Sequence, residues 1–431
     1  MTYRRKKQKG RKAELIKDLP IEEVHCQLHG EDCRCMNCGN EMKRMGKRII
    51  RDEVCFVPAR LYKKRYIAYT YACDCHDESI EAKPIRCAET PKAPIQRSFA
   101  GASVLAEVFH HKYILSIPCY RQVSEWARYG LSVSDKTLSN WIIIASHDWL
   151  RPIYDLLRKA LVQNKVLHAD ETPYQILNRT DGKSATSQAR IWLFRTIKNT
   201  EHPVAYYHAD LTRERAVATT ILEGFKGYLH CDGYSGYKNI PNISLVGCWA
   251  HVRRKFFEIP GNNGKAKKAV EYCDQIFSFE KTIKDLSPEQ RQKQRQLIIK
   301  PVVEEFFDWL ESFYAMKGKL QTAVMYALNQ KVELLRFLDD GNLEASNNLA
   351  EQAIRPIAIG RKNYLFSTSM KGATANAMAY TIIETAKANS LNPSKYLTYL
   401  FEKLPNVDFI RNPDLLVGFL PWAKNVQENC G

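Results

Sequence analysis

The sequence predicts an α/β protein: a core of strands and helices interrupted by a long all-helical block, with a cysteine-rich module and a helical segment ahead of it. Three observations carry that prediction. Between Lys165 and Ile259, short β-rich apolar runs are separated by turn residues and by one clear helical stretch. From 261 to 338 the text is polar and helical, with Lys-Ala-Lys-Lys and Arg-Gln-Lys-Gln-Arg-Gln within it. Ahead of both, a Cys-x2-Cys and a Cys-x-Cys stand 35 residues apart, between Cys38 and Cys73.

Composition narrows the partner. The chain has 431 residues, 45% hydrophobic and 26% charged, with 64 Lys and Arg against 47 Asp and Glu, a net charge of +17. That excess favours a polyanion, because binding phosphates releases their counterions. No run approaches the roughly 18 apolar residues of a membrane span, and the basic N-terminus has no apolar stretch after it that would make a signal peptide. Thirteen cysteines, an odd number crowded toward the N-terminal third, suit a metal site in a reducing compartment better than a secreted disulfide framework. The expected location is the cytoplasm, associated with the nucleoid.

Taken in order, residues 1–20 form a basic arm, with seven Lys or Arg in the first twelve positions. Such a run reads as a solvated tail or a phosphate contact. Residues 21–95 form a zinc-binding module. Cys35-Met-Asn-Cys38-Gly is a knuckle that lets two thiolates meet one tetrahedral zinc, and Cys73 and Cys75 return a second pair after room for a strand hairpin. Cys33 and His76 compete for the fourth place. A closed four-ligand site is structural, so this Zn²⁺ is assigned to folding and DNA positioning. Residues 96–162 read as helices at Ser103–His111, Tyr120–Tyr129, Ser134–Ile144 and Ile153–Leu161. They form a helical linker, with a helix-turn-helix as the DNA-binding alternative.

The α/β core is expected over 163–260 and 339–392, around a helical insertion at 261–338 and ahead of a C-terminal element at 393–431. Its first strand is expected to end or bulge at Asp170 and to resume at Tyr174. Further strands fall at Ile191–Ile197, Val204–His208, Tyr228–Cys231 and Leu245–Trp249, with helices at Arg213–Leu222 and from Arg253.

Three separated acids carry the chemistry. Asp170 lies in Leu-His-Ala-Asp-Glu-Thr, Asp232 in Leu-His-Cys-Asp-Gly-Tyr-Ser-Gly-Tyr, and Glu351 in Ala-Ser-Asn-Asn-Leu-Ala-Glu-Gln-Ala-Ile-Arg-Pro. Adjacent strand ends would set the aspartates side by side, and a helix start would bring the glutamate over them. Such hard oxygen ligands can hold two Mg²⁺ roughly 4 Å apart, the arrangement for in-line phosphoryl transfer. Each has a bland reading too: Asp232-Gly233 as a turn, and Asn348-x-x-Glu351 as a capping box. Glu171 and His251 are expected to support the site. Arg253, Arg254, Lys255, Arg355, Arg361 and Lys362 are surface charge or, beside such a site, DNA-phosphate contacts. Tyr364 and Phe366 read as core.

With these motifs together, and with Cys-Trp-Ala-His-Val-Arg-Arg-Lys-Phe from Cys248 and Ile-Ala-Ile-Gly-Arg-Lys-Asn-Tyr-Leu-Phe from Ile357, the chain resembles the transposases of the bacterial insertion sequence 66 family. The resemblance implies an RNase H-like DDE core with a helical insertion between the second aspartate and the glutamate, an N-terminal zinc module, and Mg²⁺-dependent cleavage of insertion-sequence ends. The freed 3′-hydroxyl would then attack target DNA. It places the triad on Asp170, Asp232 and Glu351. Double-stranded DNA, as terminal inverted repeats and target, is the implied partner, and bringing two ends together calls for a homodimer or larger assembly. Two departures stand out: Ser346-Asn347-Asn348 where the family writes Asp-Asn-Asn, and Gln352 where it writes Arg. The family's leucine-rich stretch upstream of the basic segment has no counterpart in the sequence, which suggests a companion protein. The rival readings are a nuclease without strand transfer and a catalytically silent zinc-dependent DNA-binding remnant or repressor.

Overall fold

In the computed structural model, which describes residues 60–72, 85–261, 264–313 and 317–431 together with positions 21, 40 and 49, two short strands come first. β1 (Thr70–Ala72) pairs antiparallel with β2 (Ile85–Cys87). The basic arm and the zinc-ligand candidates Cys33, Cys35, Cys38, Cys73, Cys75 and His76 lie outside the described residues. The chain divides into two units, Met1–Tyr62 and Lys63–Gly431, and every described helix and strand belongs to the second.

Four helices follow: α1 (Ala102–Phe109), α2 (Cys119–Arg128), α3 (Asp135–Ala145) and α4 (Arg151–Leu161). Ser134 starts α3 by accepting the Thr137 amide at 3.0 Å, an N-cap that satisfies one of the donors a helix start leaves open. On α4, Ile153, Leu157 and Leu161 recur at helical spacing and are fully buried. Its Tyr154 stacks on Tyr206, with ring centroids 4.4 Å apart, and so docks the helix on the sheet.

The sheet is built from β3 (Val166–Asn178), β4 (Gln188–Thr196), β5 (Ala205–Asp210), β6 (Gly227–His230) and β7 (Ile243–Val246), in the order β5-β4-β3-β6-β7. The first three form an antiparallel meander. After α5 (Arg215–Ile221) the chain returns parallel to β3 as β6, and β7 runs parallel to β6. Buried on both faces, Ile-Trp-Leu-Phe of β4 is the unbroken apolar run expected of a central strand.

One expectation is corrected here. β3 does not end or bulge at Asp170 but runs unbroken through Pro173, with Asp170 opposite Leu193 and Pro173 opposite Arg190. A proline inside a strand costs a ladder bond only where its missing N–H would have been used. The carbonyls of Lys165, Ala169 and Pro173 point to the side away from β4, where they accept from Tyr228, Asn347 and Arg361 respectively. Pro173 faces that same side, in the gap between the rungs shared with β6 (166–168) and those shared with β8 (Ser367–Ser369), which pairs with β3 at Ile176 and Asn178.

A second correction concerns Leu245–Trp249. The strand stops at Val246, the Gly247 amide turns to the Glu333 carbonyl at 2.8 Å, and α6 (Trp249–Phe257) begins four residues ahead of Arg253. Short apolar runs do not distinguish strand from helix by hydrophobicity alone.

The insertion comprises α7 (Gly264–Ile283), α8 (Pro288–Gln294), α9 (Lys300–Glu311), α10 (Lys319–Leu328) and α11 (Lys331–Leu335). Its core of Tyr272, Ile276, Val303, Phe306 and Leu310 is continuous with Trp249, Val252 and Phe256 of α6. Where the chain leaves the insertion, Arg295 is buried with all five donors engaged. Two go to Glu280, at 2.8 and 2.7 Å, and three to the carbonyls of Phe337, Asp340 and Leu343.

α12 (Asn348–Tyr364) packs on β3, and α13 (Met370–Ala388) covers β5. On α13, Thr381 and Thr385 accept the Tyr207 and Ala205 amides at 2.9 and 3.1 Å, which shields an otherwise open sheet edge. α14 (Pro393–Lys403) and α15 (Lys424–Cys430) close the chain. Among the described residues no helix is long and apolar enough to cross a membrane.

Candidate active site

The last rung between β3 and β6 pairs His168 with His230. Asp170 and Asp232 each stand two residues beyond it, so two parallel strands deliver two carboxylates in step. Asp170 sits within β3, its Oδ1 accepting the Glu171 amide at 2.8 Å. Asp232 sits just past β6, and its Oδ1 accepts the Tyr234 amide at 3.0 Å, the local bond of a turn. Turn and site are therefore one feature. Gly233 has φ +88°, and a Cβ there would stand 2.1 Å from the Gln330 side chain. Tyr326 of α10 donates to the Asp232 carbonyl at 2.6 Å. The insertion thus holds the aspartate loop from above.

Glu351 comes from the first turn of α12. Its carboxylate does not return to the helix start as a capping box would. Oε2 accepts from Arg254 at 3.2 Å, while Oε1 lies 3.6 Å from His251 Nδ1. Both atoms of that longer contact are buried and have no hydrogen-bond partner. Burial holds the His251 imidazole below its ordinary range, against the opposing pull of Glu351 and Asp232. The Asp170 carboxyl is pushed up to about 7, first by burial and then by the charge of Glu171, with Asp232 and Glu351 adding to it. Asp232, from the end of β6, and Glu351, from the first turn of α12, thus act on Asp170 as its weaker charged neighbours.

Glu171, beside Asp170, supports rather than joins this group. Its Oε1 is taken by the Arg213 guanidinium, with Nε at 2.7 Å, and its Oε2 by the Tyr237 hydroxyl at 2.8 Å. Arg213 lies 3.7 Å over the Tyr234 ring, and Tyr234 donates back to the Arg213 carbonyl. The chain on both sides of Asp232 is braced against β3 through this one carboxylate.

Sequence reasoning missed Asn347. Its Oδ1 accepts from His168 Nδ1 at 2.9 Å, its Nδ2 donates to the Ala169 carbonyl at 2.8 Å, and its amide donates to Cys248 Sγ at 3.1 Å. The Glu351 amide then bonds to its carbonyl at 3.2 Å. Through its side chain on β3 and its backbone on Cys248 and Glu351, one buried residue joins the strand of Asp170, the start of α6 and the start of α12. The only sequence signal is an Asn-Asn pair before a helix, which by itself is a common cap.

The basic residues fare differently from one another. Arg253 is paired with Asp274 at 2.6 Å, Arg254 with Glu351, and Lys255 lies 4.5 Å over the Tyr326 ring. Arg361 is turned onto β3, donating to Thr172 Oγ1 at 2.9 Å and to Pro173. Arg355 and Lys362 are exposed on α12. Tyr364 is half-buried and bonds to Tyr380. Phe366, expected in the core, is 39% exposed, because the chain turns at Leu365 through φ +56° and carries the ring outward.

Comparison with known proteins gives three matches along the chain. Residues 97–375 match the transposase IS66 family, 381–422 the IS66 C-terminal element, and 32–76 the zinc-finger binding domain of transposase IS66. Among individual proteins, the uncharacterized protein y4jD of Sinorhizobium fredii is 28% identical over 428 residues, covering 95% of this chain and 81% of its own. The uncharacterized protein y4hP of the same organism is 28% identical over 420 residues, 90% of this chain and 73% of its own. A third, y4qI, is 30% identical over 333 residues, 73% of this chain and 61% of its own.

Proposed function

The chain belongs to the transposase IS66 family, and from that premise we propose that Asp170, Asp232 and Glu351 are the metal-binding triad of a DNA transposase that cleaves insertion-sequence ends and joins the 3′-hydroxyl to target DNA. The observation that carries the reading is that Asp170 and Asp232 stand in step on β3 and just past β6, with Glu351 of α12 near enough for its charge to act on Asp170. The core is RNase H-like in this reading. Its support is the antiparallel meander followed by two parallel strands on the β3 side.

The donors fit divalent ions. Glu351 Oε1 is buried without a partner, and the Asp170 carboxyl is held up toward neutral pH by burial first and by neighbouring negative charge second. Hard carboxylate oxygens crowded in this way suit Mg²⁺. Two Mg²⁺ held by the triad would supply Lewis-acid stabilisation of the attacking and leaving oxygens of in-line phosphoryl transfer.

The rest is work for the chain's own residues. Asn347 keeps β3 and α12 in register, Glu171 braces the Asp232 loop, and Tyr326 holds that loop's backbone. In this reading Arg254, half-exposed beside Glu351, takes a DNA phosphate, and Arg355 and Lys362, exposed on α12, take others. Arg253, Lys255 and Arg361 contribute to the basic face mainly by fixing the elements that carry it. In the zinc module, the matched segment 32–76 contains Cys35, Cys38, Cys73 and Cys75, which supports these four as Zn²⁺ ligands. Binding of two ends calls for a dimer or larger on DNA, acting at the nucleoid.

The test incubates the purified chain with terminal-repeat duplex and Mg²⁺, alongside Asp170→Asn, Asp232→Asn and Glu351→Gln. Each variant is expected to lose nicking by more than about 100-fold, the upper end of what losing a merely supporting group costs. Equal nicking by any of the three removes it from the triad. Products joined to a second duplex separate a transposase from a nuclease that only cuts.

A further inference from the structure

Beside the triad lies a second donor set of different chemistry. Cys248 caps the start of α6, and His251 follows one turn later on the same side of that helix. Glu351 faces them from α12. One donor atom from each, the Cys248 sulfur, a His251 ring nitrogen and a Glu351 oxygen, lies within 4.8 Å of the other two. His251 Nδ1 and Glu351 Oε1 are already 3.6 Å apart, both buried and both without a hydrogen-bond partner. The sulfur is buried as well and accepts the Asn347 amide at 3.1 Å. Burial pushes the Cys248 thiol up to about 11, so a cation bound there must displace the thiol proton.

Tetrahedral coordination by sulfur, nitrogen and oxygen requires donors about 3.3–3.6 Å apart. With every pair within 4.8 Å, the donors come to that spacing by closing at most about 1 Å or a little more. The donors also select the ion. Thiolate and imidazole suit Zn²⁺, Co²⁺ and similar ions, and they are poor ligands for Mg²⁺.

We propose that Cys248, His251 and Glu351 form a binding site for a thiophilic divalent cation, Zn²⁺ above all, that adjoins the acid triad and shares Glu351 with it. An ion held there engages the carboxylate that the proposed reaction needs for Mg²⁺, so the site is inhibitory. The inference rests on the proposed function only for that consequence. The site itself stands on the geometry of Cys248, His251 and Glu351.

The experiment uses the full chain, purified with its zinc module filled, and titrates it with Co²⁺ in the absence of DNA. The wild type is expected to develop the near-ultraviolet band of thiolate-to-cobalt charge transfer. Cys248→Ser should abolish the band, and Asp170→Asn should retain it. Because Cys248 is buried, circular dichroism checks that its variant is folded. His251→Gln, at a partly exposed position, gives an independent measure, with cobalt affinity expected to fall on the order of 10- to 100-fold. No band in the zinc-filled wild type, an undiminished band in Cys248→Ser, or unchanged affinity in His251→Gln each overturns the site. A cobalt band together with nicking that ignores Asp170→Asn defeats the proposed reaction and leaves this site standing. Nicking that depends on Asp170 without a cobalt band does the reverse.

Discussion

The imidazole of His168 lies flat on that of His230, centroids 4.2 Å apart and planes within 8° of parallel. Both rings are fully buried on the rung just before the two aspartates. Two stacked rings cannot both carry charge there, and burial holds each below its ordinary range, His168 at about 4 and His230 well below the usual histidine value. The register of β3 and β6 sets Asp170 and Asp232 in step, and the stacked pair fills the rung before them.

That pair makes a prediction about acid. With folded-state values below the roughly 6.5 of an unfolded histidine, the unfolded chain binds more protons in the window from about 6.5 down to 4. Stability is lost as pH falls through it. For His168 the loss amounts to roughly 3 kcal/mol. His168→Gln keeps a donor for Asn347 but cannot titrate, so its thermal midpoint should fall less steeply than that of wild type between pH 6.5 and 4. Parallel curves would remove the histidines from the account.

Asp170 makes the opposite prediction. Its folded value of about 7 lies above the unfolded value near 3.8, so the folded chain holds the extra proton, and metal-free stability is lost as pH rises through that window. Asp170→Asn should match wild type near pH 4 and exceed it by a few kcal/mol at pH 8 without metal. Millimolar Mg²⁺ should narrow the gap by stabilising only the wild type. A constant gap across pH, checked by chemical denaturation, would contradict the crowding of acids.

Removing the Asn347 side chain breaks two bonds across the elements that carry the triad. Asn347→Ala is expected to cost roughly 2–4 kcal/mol, because it leaves buried groups of β3 unpaired. It should also weaken Mg²⁺-dependent nicking by about 10-fold or more. Activity recovered in full by raising Mg²⁺ would point to loosened metal binding. Unchanged stability would show that the bonds are dispensable.

Arg295 is a test of the insertion. Arg295→Met leaves the partly buried Glu280 against an apolar side chain and frees three carbonyls, and should destabilise by about 2–4 kcal/mol. Arg295→Lys should recover only part of this, because an ammonium offers three donors where the guanidinium uses five. Urea midpoints of the two variants decide it, and equal stability of Arg295→Lys and wild type would rule out the five-donor explanation.

Much of the architecture is legible in the amino-acid sequence, and for identifiable reasons. Helices α1 to α4 and the strands β4 and β5 carry clear periodicity, and Ser134 is a recognisable cap. The polar helical block declares the insertion. Where the sequence misleads, a distant partner overrides a local signal. Asp170 reads as the end or bulge of a strand, yet β3 runs on to Asn178, paired with β4 from Leu167 to Gln175 and with β6 and β8 on its other side. Trp249 reads as strand, yet the strand stops at Val246, where the Gly247 amide leaves the sheet for the carbonyl of Glu333, 86 residues on.

Charge balance, the order of strands and helices, and the acid-bearing motifs with their likeness to one family of transposases follow from the chain of residues alone, since each is a local or compositional property. That Asp170 and Asp232 stand in step, that Glu351 faces Arg254 and His251 instead of capping its own helix, and that Asn347 ties their elements together belong to the tertiary structure. Those relations depend on register between parallel strands and on contacts between residues nearly two hundred positions apart, such as His168 and Asn347. No sequence periodicity encodes such distances, because burial and hydrogen bonding act on residues only after folding has made them neighbours.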